Sequence, residues 1–475
     1  LRPLFLISLL AVIVFFQING EKIPVNEGAI DDGVFYRTVG QTFVESIEEQ
    51  GYNLVQLTRI LPFALLNLSF SALHIVKDNE GMRNGMILWQ LIYLAISVYW
   101  YFRIAKKIRA KTPLMTLGFI LLFFNFTWLK EFWYHPFSPD GAAFALGMGQ
   151  ANYFLRYEKF KLGMVSILGA FVSPLLVISG ILMLFLPGDK LVPYVGERPK
   201  STFPLLFAVG LPILLAIAGW GLWGWGDRDL WAQIAHVLSL VAIAPLSIWI
   251  AQRNTIDWEQ SLALLKKRAR PNRLNKGIMV LMGILLVLVL LSGRNEALGI
   301  RQMLQDIGRG SFRFPIDFLL GLVLQWGLVL LFTAMYLHRF TEQLGRQGWA
   351  AVATIWVGMA VLPFFTASTL AAWVPLWTVI LLKGMKRYHL QVKDLILIGA
   401  YALLLSLAWL QVNSPALNEW LLQPGRTTNL LIQKWAIHLP EYRSFWAYLI
   451  ATGIMAAIGS LLYLRKGRYQ RIIRV

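Results

Sequence analysis

The chain has 475 residues, 57% of them hydrophobic and only 15% charged. An ordinary soluble domain carries about 25% charged residues, so a water-soluble globular enzyme is excluded, and the same wealth of apolar side chains excludes intrinsic disorder. The net charge of +19 would suggest a nucleic-acid partner in a soluble protein; in a membrane protein it reads as orienting Lys and Arg in cytoplasmic loops, and no nucleic acid is expected.

What remains is an all-α polytopic membrane protein in the lipid bilayer. The 19 Trp suit many membrane–water interfaces. There is no cysteine, so disulfides, zinc–thiolate sites, iron–sulfur clusters and cysteine nucleophiles are impossible.

About 17–25 apolar residues span a bilayer as a helix. Residues 4–16 follow Arg2 and lead into Gln17-Ile18-Asn19-Gly20, with no small-x-small cleavage site. They predict an uncleaved first helix with its N-terminus inside. The polar stretch 21–59 carries Asp31, Asp32, Glu45, Glu48 and Glu49 and predicts an acidic external loop. The apolar run 61–76 is short. If it crossed, the basic cluster from Arg103 to Lys111 would lie outside, so it predicts a helix lying on the outer membrane surface. A span over 86–102 then leads inward to that cluster.

The run 114–129 predicts an outward span, 130–141 an outer loop, and 142–155 a span returning to Arg156 and Lys159. The stretch 163–187, with Ser173-Pro174 in its middle, predicts either one span or a broken hairpin. Spans over 203–222 and 234–251 follow, with the basic loop 266–276 inside. Later spans are expected over 277–291, 318–337, 350–365, 371–382, 395–410 and 447–464, ending in a basic tail. External loops are expected over 294–315 and 411–445. The total is about 12–14 helices in a single integral-membrane domain, residues 1–475.

Two short acidic motifs fall on the same, outer side. One is Asp31-Asp32-Gly33-Val34-Phe35-Tyr36; the other is Ser138-Pro139-Asp140-Gly141. Each alone suits a turn or a helix cap. Together, with the apolar surface helix between them, they resemble the layout of GT-C integral-membrane glycosyltransferases. The resemblance covers residues 1–160 best, and the rest matches only in helix count and a late external loop. The chain has no Trp-Trp-Asp of the oligosaccharyltransferase kind and no large external C-terminal domain. The stretch 52–62 resembles a segment of bacterial membrane proteins of this general type, which places the chain in a bacterial inner membrane.

The resemblance implies a donor sugar on a polyprenyl phosphate, a lipid-linked glycan or protein as acceptor, and chemistry on the periplasmic face with both termini cytoplasmic. It implies that an aspartate of the first external loop acts as base or metal ligand. Asp32 is the first candidate, with Asp31 and Asp140 as supports. A divalent metal on Asp32 and Asp140 is a further implied possibility.

The chemistry can be stated from the residues as well. An inverting displacement needs a base for the acceptor hydroxyl, and two adjacent acids raise the proton affinity of one of them. The leaving phosphate needs positive charge, for which Arg59, Arg426, Lys434 and Arg443 are available in external loops. His135, Glu131 and Tyr36 are candidates for substrate contact. His74 and His236, in apolar runs, read as buried structural residues. Two other classes compete. A transporter or flippase would place ionisable groups in mid-membrane, where this chain has few. A non-catalytic subunit of a membrane complex would show a large apolar contact face.

Overall fold

The computed structural model describes residues 3–49 except Asp31, then 51–194, 253–268, 271–292, 315–361 and 367–413, with short pieces within 202–251 and 453–463. Among the described residues the structure is helical, and β pairing is limited to two isolated bridges. Two helices are long and apolar enough to cross a membrane, and a bent pair adds a third candidate. The chain is a membrane protein. The fuller expectation of about 12–14 helices falls partly on residues outside those described.

The N-terminal part comprises α1 (Pro3–Ile18), α2 (Asp32–Glu49), α3 (Leu54–Leu57), α4 (Leu61–Ala72), α5 (Asn79–Lys107), α6 (Thr112–Phe123), α7 (Thr127–Tyr134) and α8 (Asp140–Arg156). α5 is the long axis. Asp78 caps its first turn by accepting from the Gly81 N–H at 3.0 Å, and Lys106 and Lys107 face the negative end of its dipole. Its 29 residues extend about 43 Å. α8 packs along it with a face of small residues that includes Gly141, Ala142, Ala145 and Gly149. A side chain at Gly141 would collide with Gln90 of α5, so the close approach depends on glycine there.

α4 has 12 residues and is about 18 Å long, too short to cross about 30 Å of hydrocarbon. It packs on α2 instead. His74, read as buried, is exposed and ends this region with φ +54°. The expected straight span over 114–129 is corrected: α6 stops at Phe123, and α7 leaves at a bend of 58°. The Asn125 side chain accepts from the Trp128 N–H at 3.0 Å, replacing a helical partner at the break. α7 opens with a π-helical turn over Thr127–Glu131. The segment expected as outer loop therefore begins as packed helix, with Lys130 buried.

The stretch 163–187 is a hairpin. α9 (Lys159–Gly169) and α10 (Pro174–Phe185) pack on each other. Each arm is about 17 Å long, which favours a re-entrant form over two crossings. Gln150 of α8 holds both arms: its Nε2 donates to Ser166 Oγ at 2.9 Å and to the Leu176 carbonyl, and its Oε1 accepts from Ser179 Oγ at 2.7 Å. The hairpin tip reaches α4, where the Leu61 N–H donates to the Phe171 carbonyl at 2.9 Å.

At the corner between α8 and α9, Glu158 accepts from Arg156 at 2.5 Å and Lys161 at 2.7 Å. Hydrogen bonds from Lys161 and Arg156 lower its carboxyl to about 2. A depressed carboxylate stabilises the fold above its unfolded value, near 4.3, and the contribution fades as pH falls toward about 2. Acid titration followed by local protection at 156–161 should show this loss over that window, and Glu158→Gln should abolish it.

The second part adds α11 (Trp258–Arg268), α12 (Pro271–Leu291), α13 (Pro315–Trp326), α14 (Val329–Met335), α15 (Leu337–Arg346), α16 (Trp349–Val361), α17 (Val374–Met385) and α18 (Val392–Leu405). α17 packs against α15, α8 and α6, and α18 packs against α6. The two parts share one aromatic core: Phe144 of α8 stacks on Trp326 of α13 with ring centroids 5.6 Å apart.

Candidate active site

Asp32 opens α2 with its side chain 79% exposed, and its Oδ2 lies 3.9 Å from Arg59 Nη1. Arg59 follows α3, whose start is fixed by a reciprocal capping box. There the Gln56 N–H donates to Asn53 Oδ1 at 2.9 Å, and the Asn53 N–H donates to Gln56 Oε1 at 3.0 Å. The guanidinium hydrogen-bonds the side chain of Tyr36, one turn along α2 from Asp32. Tyr36 is buried and stacks on Phe63 of α4 with centroids 4.4 Å apart.

Asp140 joins the same group from the second motif. It is half-buried at the start of α8, where Ser138 Oγ donates to its Oδ2 at 3.0 Å. Burial opposes the charge on Arg59, but Tyr36, Asp140 and Asp32 outweigh it and raise the proton affinity of the guanidinium. Burial also keeps the Tyr36 phenol neutral, raised above its usual range against the opposing pull of Arg59. The two motifs, more than a hundred positions apart, thus meet around one arginine.

The contact is steric as well as electrostatic. A Cβ placed on Gly33 would lie 2.6 Å from His135 Nε2 and 3.5 Å from Phe137 Cβ. Glycine at position 33 lets the second loop close over the first turn of α2. Gly33→Ala is expected to destabilise the protein by about 1–3 kcal/mol through overpacking. Thermal unfolding should show this cost, and combining it with His135→Ala should relieve most of it. Equal costs with and without the histidine would argue against the contact.

The second loop is held from behind by Gln90 of α5, whose Nε2 donates to the carbonyls of Pro136 at 3.0 Å and Ser138 at 3.1 Å. Sequence reasoning missed Gln90, although a polar residue inside an apolar run was a signal. It also missed Glu21 and Lys130. Lys130 Nζ donates to Glu21 Oε2 at 3.1 Å, and Glu21 accepts from the backbone N–H groups of Val412 at 2.7 Å and Asn413 at 2.8 Å. Tyr134 completes the clasp by donating to Asn413 Oδ1 at 2.9 Å.

Glu131 is placed differently from the expectation of an external loop residue. It lies on α7, and its Oε1 accepts from Gln325 of α13 at 3.4 Å. Its Oε2 is buried with no hydrogen-bond partner among the described residues. It is close enough to Asp140 for their charges to interact. Asp31, Arg426, Lys434 and Arg443 lie outside the described residues.

Among the described residues, no three His, Asp or Glu side chains converge on a point that would hold a metal ion. Arg59 lies 3.9 Å from Asp32 and also feels the charge of Asp140, so it supplies the positive charge near both. No step below uses a metal ion.

A groove of about 920 Å³ opens between α2, the 57–64 segment and the tip of the α9–α10 hairpin, without Arg59 or Asp32 in its lining. Its walls include Phe43, Ile47, Leu57, Ile60, Ala64 and Phe171, and Glu48 and Glu49 also line it. It is bounded on one side by the end of α12, at Leu291.

No family model matches the chain, and no curated protein does. Two solved structures of the archaeal oligosaccharyltransferase AglB from Archaeoglobus fulgidus are similar to it. One is in complex with an inhibitory peptide and a dolichol-phosphate; it has 12% identity and a TM-score of 0.40. The other, tethered by a disulfide to an acceptor peptide containing the NVT sequon, has 12% identity and a TM-score of 0.39. Each match covers 86% of this chain and 54% of the other. The chain therefore spans about half the length of the solved structures it matches.

Proposed function

We propose that the chain is a membrane glycosyltransferase of the GT-C kind. It moves a sugar from a polyprenyl-phosphate donor to a hydroxyl or amide of a lipid-linked glycan or protein, on the face that carries Asp32. The observation that supports this best is the pairing of Asp32 with Arg59 at 3.9 Å, on which Tyr36 and Asp140 also act electrostatically. An exposed carboxylate beside a held cation suits a reaction that takes a proton from one partner and leaves negative charge on the other.

In an inverting displacement the Asp32 carboxylate accepts the acceptor's proton as the acceptor atom bonds to the sugar's anomeric carbon. The bond from that carbon to the phosphate oxygen breaks, and the phosphate keeps the electron pair. Arg59 stabilises the charge developing there. Asp140 and Tyr36 keep Arg59 charged and in place. The largely apolar groove that takes in Leu57 and Ile60, on either side of Arg59 in sequence, suits the donor's hydrocarbon chain. Asp31 is proposed as a second acid beside Asp32.

The test measures transfer from a radiolabelled polyprenyl-phosphate sugar in membranes holding the full chain. Asp140→Asn should lower turnover at least tenfold, because it releases Arg59 from one side. Turnover unchanged in both Asp140→Asn and Arg59→Gln would reject this site. Movement of a labelled lipid across the bilayer without sugar transfer would assign the chain to transport instead.

A further inference from the structure

The end of the molecule remote from Asp32 gathers cations from separate segments. α5 ends at Lys106 and Lys107, and Arg109 follows in the left-handed conformation at φ +51°. That bend is fixed by a hydrogen bond from the Ala110 N–H to the Ala105 carbonyl at 2.9 Å. From Gln90, which holds the second acidic loop, to Lys107 is about 25 Å along α5.

α17 brings Lys383 and Lys386 toward the same end: a Cβ on Gly118 of α6 would meet both Leu382 of α17, at 2.5 Å, and Tyr101 of α5, at 2.6 Å. α17 packs on α6, which starts just after Arg109, and on α15. A Cβ on Gly384 would lie 3.1 Å from the Arg339 carbonyl oxygen, so the last turn of α17 sits hard against α15. Lys383 lies just beyond the apolar stretch 371–382. It is half-buried, and its Nζ donates to Gln347 Oε1 at 2.7 Å. That bond fixes the ammonium in position without neutralising it.

The four cations act on one another. Burial first, then Lys386 and Lys107, lower Lys383 to about 8. Burial and Arg109 lower Lys386. The nearby carboxylates are engaged elsewhere. Glu342 accepts from Arg339 at 2.9 Å and from Arg346 at 2.6 Å, and it also faces Arg387. Asp394 is buried and caps the start of α18 by accepting from the Gln391 N–H at 3.1 Å. Among the described residues, none of the four cations makes an ion pair.

Charges that only orient a chain in a membrane can stand apart, each with its own water. Here two segments of distant sequence bring four like charges within range of one another, one of them half out of water. An anion between them would relieve both the repulsion and the lost hydration.

We propose that Lys107, Arg109, Lys383 and Lys386 form an anion site that takes the phosphate of a phosphoester, at the end of the bundle away from Asp32 and Asp140. The phosphate could come from a phospholipid headgroup or be free in solution. The site stands independently of the transfer reaction proposed above.

The test uses the purified full chain in neutral detergent. Short-chain phosphatidylglycerol is titrated by native mass spectrometry, and inorganic phosphate by calorimetry. Each basic side chain near a surface is worth about fivefold in attraction for an anion, so Lys383→Gln with Lys386→Gln should weaken binding about 30-fold. The paired Lys→Arg changes should keep it. Lys266→Gln with Lys267→Gln, which removes exposed cations from α11, should leave it unchanged. Binding of the lipid alone assigns a headgroup site, and binding of both probes assigns a general phosphate site. Equal losses in the two Lys→Gln pairs, no loss in the Lys383/Lys386 pair, or no binding of either probe by the unaltered chain would overturn the proposal.

Discussion

Asp32→Asn is expected to lower sugar transfer about 10²–10⁴-fold, the range supplied by a positioned general base, while leaving the fold intact. The fold should tolerate it because the Asp32 side chain is 79% exposed and its one ion pair, to Arg59, is long at 3.9 Å. Exposed pairs of that kind contribute about 0–1 kcal/mol. Turnover should fall with little change in the apparent affinity for the donor. Loss of donor affinity with normal turnover would move Asp32 from the reacting atoms to donor binding. A drop in thermal stability matching the loss of activity would make the role structural.

Glu21→Gln is expected to act in the opposite sense, with a large cost in stability. Lys130 has a side-chain exposure of 6% and Glu21 one of 19%, so the change leaves a buried ammonium without its counter-charge. Breaking a buried pair from one side costs about 3–5 kcal/mol. It also weakens the acceptor for the Val412 and Asn413 N–H groups, which join α1 to the chain beyond α18. Lys130→Met in the same chain should recover part of the loss by removing the stranded charge. Thermal unfolding of the single and double variants measures both terms. A single variant within about 0.5 kcal/mol of the unaltered chain would show that the pair is not desolvated.

The sequence was informative where the signal is local. The Ser138-Pro139-Asp140-Gly141 motif marked the start of α8, whereas the stretch 21–59, expected as an acidic loop, carries the helix α2. That Asp32 and Asp140 would serve one site was expected from the resemblance, not from spacing. Tyr36 and Arg59 were candidates, but their partnership depends on the α3 capping box and the packing of α4 on α2. Neither is visible in a hydropathy pattern.

The break at Phe124–Phe126 escaped because every residue there but Asn125 is apolar, and periodicity cannot distinguish a straight buried helix from a bent one. Lys130 and Glu131 followed from that error. Charged residues after an apolar run were assigned to water, whereas Glu21 and Gln325 supply partners from distant sequence. The expected external loop 411–445 lies outside the described residues past Asn413, and its three basic candidates lie there.

The hydrogen bond from Leu61 to Phe171 has a consequence for how this protein can vary. It ties the hairpin tip to the chain two positions after Arg59. The length of the α9–α10 turn is therefore linked to the position of the cation at the site. An insertion between Gly169 and Pro174 would press on Arg59 through two residues of backbone. The same insertion at the Tyr157–Glu158 corner, at the far end of the hairpin, would not. Length changes should thus be tolerated at one end of the hairpin and excluded at the other.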